Sequence, residues 1–364
     1  HRMTNYFIFV AVETRKNILV APLNWGLGHA TRCIPIIRQL LAEGFQPIIA
    51  SDGAALALLQ REFPAHEHLV LPSYHIAYAK NPKNFKWKLL KNSPKTIAAI
   101  FEEKKLVRQW IAEYQLAGII SDNRLGVYSK KIPSVIITHQ LTVLSGKTTW
   151  ISSGLHRFFI QKFQECWVPD WGGAINLSGK LGHPEKLPNT TRYLGVLSRI
   201  QKKSVTTTID YLIVLSGPEP QRSLLETKIR EEMQHLDARI VVVRGVVEGA
   251  IQETHEPPFT TYNYLTSEGL TEMLNAAEVV ICRSGYTTIM DLAKLGKKAF
   301  FIPTPGQYEQ EYLAKRFHRD GMVPQCSQSD FTVQKLESLP FYKGLPKADE
   351  EKLPVDLFRL FEGK

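Results

Sequence analysis

Short runs of β-branched and aliphatic residues recur through the first half of the chain, at 17–21, 47–51, 118–122, 134–138 and 166–169. Runs this short, apolar on both alternating faces, are the pattern of strands buried in a parallel sheet. Between them the apolar period changes. Cys33, Ile36, Ile37, Leu40 and Leu41 fall at i, i+3, i+4, i+7 and i+8, which lays one apolar stripe along a helix. Pro35 is compatible with that helix if it sits in the first turn, where the amides have no helical partner. The pattern fades from 171 to 208, a stretch carrying Gly172, Gly173, Pro184 and Pro188. It resumes with strands at 211–215, 240–243, 279–282 and 299–302, again separated by helices. Alternation of strand and helix on both sides of a break predicts two doubly wound α/β domains, over 17–200 and 201–345. Residues 1–16 read as a tag or an extended start.

Composition narrows this picture. The 364 residues, 44% hydrophobic, are enough for two separate cores. Cys33, Cys166, Cys282 and Cys326 are too far apart for a disulfide framework or a zinc site, which favours a reducing, cytoplasmic compartment. The apolar run 6–12 is far shorter than the roughly 20 residues that span a bilayer. Glu13, Arg15 and Lys16 follow it where a signal peptide has small residues. The net charge of +10 favours anionic partners such as phosphates, acidic lipid or nucleic acid, but the absence of a recognition helix or stacking motif argues against the last.

Chemistry in doubly wound sheets belongs to the loops beyond the carboxyl ends of strands. After the strand ending at Cys282 comes Arg283-Ser284-Gly285-Tyr286-Thr287-Thr288 and then an amphipathic helix closed by Gly296. Ser284 is the expected N-cap, and the free amides of such a helix start attract phosphate. Gly285 lets a ligand approach the backbone. Asp291 lies one turn beyond Thr287, about 6 Å along the axis, an offset that suits the ribose of a nucleotide diphosphate. The same residues also describe an ordinary capped strand-turn-helix. In the first half, Gly26-Leu27-Gly28-His29 is a partial dinucleotide fingerprint, with Asp52 as its candidate ribose ligand, so a dehydrogenase is the runner-up on motif grounds.

The run Arg283-Ser284-Gly285-x-x-Thr288-x-x-Asp291, followed by Gly296-Lys297, Phe301-Ile302-Pro303 and Glu309-Gln310, resembles the donor motif of glycosyltransferase family 28. The best-known bacterial member of that family adds N-acetylglucosamine to lipid I. The resemblance implies a GT-B fold, two Rossmann-like domains facing across a cleft, with 346–364 returning as a helix onto the first domain; the apolar spacing of 353–360 suits such a helix. It implies a UDP-sugar as donor substrate and no cofactor. Ser284 to Thr287 would take the diphosphate, with Arg283 and Thr288 in the same donor-binding motif, and Asp291, where the family usually has Glu, the ribose. Gln310, with Glu309 or Glu311, would hold the hexose, and the backbone at Leu265 the uracil. Ser216-Gly217 and Arg199 match segments that approach the diphosphate, although Pro218 and Pro220 depart from the family loop.

On the acceptor side the resemblance reads Gly26, Gly28 and His29 as the loop that meets the acceptor, with His29 as general base. A histidine that merely caps the turn is the alternative. His139 resembles a second cleft histidine, and Asp122 either orients one of the two or contacts acceptor. No Asp-x-Asp occurs, and His66-Glu67-His68 reads as a solvated loop, so no metal is expected. Lys80, Lys83, Lys86, Lys88, Lys91 and Lys95, with Lys104 beyond, interleave with Phe85, Trp87, Leu89 and Leu90, and Trp150, Phe158, Phe159 and Phe163 follow. Such a segment can rest on an anionic membrane surface, or its aromatics can pack inward while the lysines stay solvated. The combined expectation is an inverting bacterial hexosyltransferase of the cell envelope, peripheral on the cytoplasmic face of the membrane, with a lipid-linked or glycan acceptor. A nucleotide-sugar epimerase or hydrolase of the same fold, and a non-catalytic nucleotide-sugar binder, are the alternatives.

Overall fold

The computed structural model describes residues 15–74, 85–144, 149–217, 219–348 and 353–363. Its first sheet has seven parallel strands: β1 (Asn17–Pro22), β2 (Gln46–Ser51), β3 (Glu67–Val70), β4 (Leu116–Asp122), β5 (Ser134–Ile137), β6 (Glu165–Val168) and β7 (Thr191–Tyr193). They lie in the order β3-β2-β1-β4-β5-β6-β7. The central strands read as continuous apolar runs because both faces are covered. Ile18 and Val20 of β1 pack with α1 (Gly28–Ala42) and α2 (Gly53–Glu62), while Leu19 and Ala21 face Val107 and Trp110 of α3 (Phe85–Glu113). A further helix, α4 (Thr149–Ile160), precedes β6.

The second sheet has β8 (Ile209–Val214), β9 (Ile240–Val243), β10 (Glu253–Glu256), β11 (Phe259–Tyr262), β12 (Ala277–Cys282) and β13 (Lys298–Phe301), in the order β10-β11-β9-β8-β12-β13. All its pairings are parallel except the β10–β11 hairpin. Helices α5 (Gln221–Met233), α6 (Ser267–Ala276), α7 (Tyr286–Leu295) and α8 (Tyr308–Arg319) alternate with its strands. Strand order reverses between β1 and β4 in one sheet and between β8 and β12 in the other, and a crevice opens at each reversal. These are the positions from which the site is built.

Several expectations are corrected. Residues 67–70 form edge strand β3 and not a solvated loop, and the break at 171–208 contains β7. Pro35 lies inside α1, eight residues from its start, so the carbonyl of Thr31 gets no amide from it. The last apolar stretch is a set of turns ending in a 3-10 helix, Arg359–Phe361, with no α-helix. Phe358 nevertheless packs edge-on against Phe45 and at a tilt against Trp167 of the first domain, and Phe361 packs edge-on against Trp167. Only glycine fits beneath Phe361 at position 118, where a Cβ would come within 2.2 Å of the ring.

The domains meet through specific polar contacts. Glu62 at the end of α2 accepts from the backbone amide and the hydroxyl of Ser267, at 2.7 and 2.6 Å. Arg316 of α8 donates to the carbonyls of Leu177 and Asn176 in the connecting segment.

Candidate active site

The amino end of α1, the carboxyl ends of β4 and β5, and the amino ends of α7 and α8 enclose one cavity of about 200 Å³ between the domains. Gly26, Gly28, His29, Asn123, His139 and Gln140 line it from the first domain. Arg199, Ser216, Gly217, Gly285, Tyr286, Thr287, Thr288, Asp291, Glu309 and Gln310 line it from the connecting segment and the second domain. Two helix starts, of α1 and α7, point their unpaired amides into one small space, an arrangement matched to a doubly charged group such as a diphosphate. They also touch: the Thr287 hydroxyl donates to the Gly28 carbonyl at 3.1 Å.

His29 stands in the first turn of α1, with Nδ1 2.7 Å from Asp122 Oδ1. Arg32, one turn further on, grips both oxygens of Asp122 and approaches the same Nδ1 at 2.8 Å. A guanidinium can only donate, so the consistent assignment is that Nδ1–H and Arg32 both donate to Asp122, which leaves Nε2 as the basic nitrogen. Burial pushes the imidazole below its ordinary pKa and Arg32 adds to that, against the opposing pull of Asp122. Burial acts to raise the Asp122 carboxyl, yet Arg32 and His29 outweigh it and hold the group down at about 2. Asp122 is fully buried behind His29 and does not line the cavity, a placement suited to orienting His29.

The same arginine reaches further. Arg32 Nη1 lies 2.9 Å from His139 Nδ1, and His139 stacks on Tyr286 of the second domain with ring centroids 4.1 Å apart. Glu309, at the start of α8, lies 3.2 Å from His139 Nε2, a close approach without hydrogen-bond geometry, and accepts a hydrogen bond from Gln140. Burial would raise the Glu309 carboxyl, but His139, His29 and Arg32 together lower it. In this state Glu309 bridges the domains, leaving Gln310 as the freer of the two sugar candidates. Its side-chain oxygen accepts from the Thr304 amide at 2.8 Å, which directs the amide nitrogen elsewhere.

On the donor side, Asp291 lines the cavity and accepts from the Ser198 hydroxyl at 2.5 Å. Burial raises its carboxyl to about 6 against the opposing influence of Arg199 and Ser198. Arg199 is buried, donates to the Ser267 hydroxyl at 3.3 Å, and keeps its Nε without a partner among the described residues.

Three sequence assignments fail here. Arg283 points away from the cavity and ties the back of the loop to the carbonyls of Ile302, Pro303 and Gln221 and to the side chain of Gln328. Ser284 is not the N-cap: that position is Gly285, and the fully buried Ser284 hydroxyl donates to the Gln310 carbonyl, so it positions the sugar candidate from behind. Leu270 and Leu274 line the cavity and Leu265 does not, which leaves the expected role of the Leu265 backbone untouched. Asp52 is taken by the buried Arg124, which also pairs with Glu103, so it is unsuited to the ribose role of a dinucleotide fold. Among the described residues no cluster of three or more His, Cys, Asp or Glu could hold a metal ion.

Residues 222–339 match the model of the glycosyltransferase family 28 C-terminal domain. The chain is 24% identical over 339 residues to a Pasteurella multocida protein named UDP-N-acetylglucosamine–N-acetylmuramyl-(pentapeptide) pyrophosphoryl-undecaprenol N-acetylglucosamine transferase, spanning 90% of this chain and 88% of the relative. Among solved structures, MurG from Acinetobacter baumannii superposes with a TM-score of 0.50 at 14% identity, over 90% of this chain and 89% of that one. The calicheamicin glycosyltransferase CalG4 superposes with a TM-score of 0.59 at 12% identity, over 90% of each chain. The architecture is GT-B. Relatives with transferase names lend no support to the epimerase, hydrolase or non-catalytic readings.

The ribose assignment of Asp291 predicts a pH signature. An ionised carboxylate accepts hydroxyl hydrogen bonds more strongly than a neutral one, by about 1 kcal/mol. With its pKa near 6, affinity for UDP-N-acetylglucosamine should therefore rise about fivefold from pH 5 to pH 7.5 by calorimetry and stay flat in Asp291→Asn. An equal rise in the variant would remove Asp291 from the ribose role.

Proposed function

We propose that the chain is an inverting, metal-independent transferase that moves a hexose of the N-acetylhexosamine class from a UDP-sugar to a hydroxyl of a lipid-linked acceptor. The observation that carries this reading is the enclosure of a carboxylate-held histidine and a phosphate-friendly helix start in one cavity. A base and a donor site in contact are what direct transfer needs, because a near-attack geometry replaces a bimolecular encounter. The Pasteurella multocida relative is named for a UDP-sugar donor and an undecaprenol-linked acceptor, and we carry over those two classes of substrate.

In this reading the start of α7, from Gly285 to Thr288, takes the diphosphate with Ser216, Gly217 and Arg199 near by. Asp291 takes the ribose, and Gln310, with Glu309 once released from Gln140, takes the hexose. His29 Nε2 removes the acceptor proton as the acceptor oxygen attacks the anomeric carbon in line. The glycosidic bond to the diphosphate breaks, its electron pair leaves with the nucleotide, and configuration inverts. Charge growing on the diphosphate meets the α7 amides and Arg199, groups already oriented before reaction. Asp122 holds the imidazole so that Nε2 faces the cavity.

We also infer a membrane-facing side. Ile97 and Phe101 of α3 and Leu155 and Phe158 of α4 are exposed, and the ammonium groups of Lys104 and Lys162 lie over the Phe101 and Phe158 rings. Apolar rings flanked by lysines suit an anionic bilayer surface. The lysine-rich stretch ahead of them falls largely outside the described residues, and the side chains of 85–93 are not described. Among the described residues no helix is long and apolar enough to cross a membrane. We assign the protein to the cytoplasmic face, where a nucleotide-sugar donor and a lipid-linked acceptor can meet.

Two outcomes follow. His29→Ala should lose about 10²- to 10⁴-fold in turnover, the range of general base catalysis, while UDP-sugar affinity changes little. Unimpaired turnover would remove the base assignment. Phe101→Glu/Phe158→Glu should abolish sedimentation with phosphatidylglycerol vesicles and leave donor binding intact; unchanged sedimentation would refute the membrane face.

A further inference from the structure

Arg32 was not a site candidate from sequence, yet it is among the largest fully buried side chains and all three guanidinium nitrogens are engaged. Nε and Nη2 grip the two oxygens of Asp122, and Nη1 reaches His139 Nδ1. A buried arginine this fully committed needs a reason, because removing it from water costs several kcal/mol that a single ion pair does not reliably return. Packing alone supplies none. The buried positions around it on α1, among them Cys33, Ile34 and Ile36, offer no countercharge.

The consequence falls on His29. A lone buried carboxylate 2.7 Å from an imidazole nitrogen favours the imidazolium, and a histidine already protonated cannot accept a proton from an acceptor hydroxyl. We propose that Arg32 is the positioning residue that neutralises Asp122, so that Asp122 orients His29 through Nδ1–H without charging it. Two functions of a carboxylate partner, orientation and charge, are thereby separated. The charged and titratable groups facing His29 are Asp122 from β4, Arg32 from its own helix, His139 after β5 and Glu309 from α8. Of these only Asp122 and Glu309 favour the imidazolium. Arg32 offsets the first directly, while the second is drawn onto His139 and Gln140. Burial first and Arg32 second place His29 below its ordinary value despite the touching carboxylate. The start of α1 adds in the same sense, because a helix amino end disfavours a cation.

The proposal rests on the reading of His29 as base, but its test does not. With 13C-ε1-labelled histidine, the His29 resonance is assigned by its absence in His29→Ala and titrated in the full-length protein. In Arg32→Gln it should titrate at higher pH than in the wild type, and in Arg32→Gln/Asp122→Asn it should return to the wild-type position or below. The acid limb of kcat/KM should move with it, so that on going from pH 8 to pH 6 Arg32→Gln loses about tenfold more than the wild type does. A folded Arg32→Gln protein with unmoved His29 titration overturns the proposal. Should Arg32→Gln alone fail to fold, Asp122→Asn is compared with the double variant. Asp122→Asn, which retains the arginine without its carboxylate, must then titrate lower, and equal titration overturns the proposal. An active His29→Ala enzyme with the titration shift intact would instead sink the base assignment and leave the role of Arg32 standing.

Discussion

Two parallel sheets each open a crevice where their strand order reverses, and in this chain the two crevices face one another. That constraint decides which residues can act. At the first reversal β1 and β4 deliver the loop before His29 and the buried Asp122, and at the second β8 and β12 deliver Ser216-Gly217 and the start of α7. None of these groups is near another in sequence. They meet because strands buried on both faces end at the same level and because α1 and α7 begin just beyond those ends.

Closing the crevices onto each other places strong charges in a confined space, and the observed pairing is how they are tolerated. Asp122 is satisfied by Arg32 and His29, Glu309 by Gln140 and the adjacent His139, and Asp291 by Ser198. Several of these ties cross between domains, as do Thr287 to Gly28 and Glu62 to Ser267. A donor entering the cavity must exchange some of these contacts for its own. In the proposed function Glu309, now held by Gln140 and close to His139, is where that exchange is most direct.

The sequence made the architecture legible wherever burial was complete. The apolar runs of β1, β4, β8 and β12 are covered on both faces and stand out, whereas β3, β7 and β10 are short, polar and at or near sheet edges, so no apolar run marks them. Motif position located the donor loop but not the direction of each side chain. Arg283 and Ser284 belong to the motif and face backward into the domain, where one ties loop carbonyls and the other sets Gln310. Arg32 carried a signal that could have been used: a cation three residues after a candidate base, on a helix whose other buried positions are apolar apart from Thr31. Asn123 carried none. It takes a left-handed backbone (φ 57°) at the end of β4 and lines the cavity with an oxygen that has no partner among the described residues, which only the fold reveals.

The account's central claim is that this cavity binds a uridine nucleotide sugar. Thermal unfolding of the full chain against UDP-sugars, with GDP- and CMP-sugars alongside, tests it most directly, because a ligand that binds only the folded state raises the midpoint by mass action. The expected result is stabilisation by UDP and at least one UDP-hexose of the N-acetylhexosamine class, equivalent to about 2.7 kcal/mol at a hundredfold excess over Kd. A midpoint that no nucleotide or nucleotide sugar moves would contradict the account.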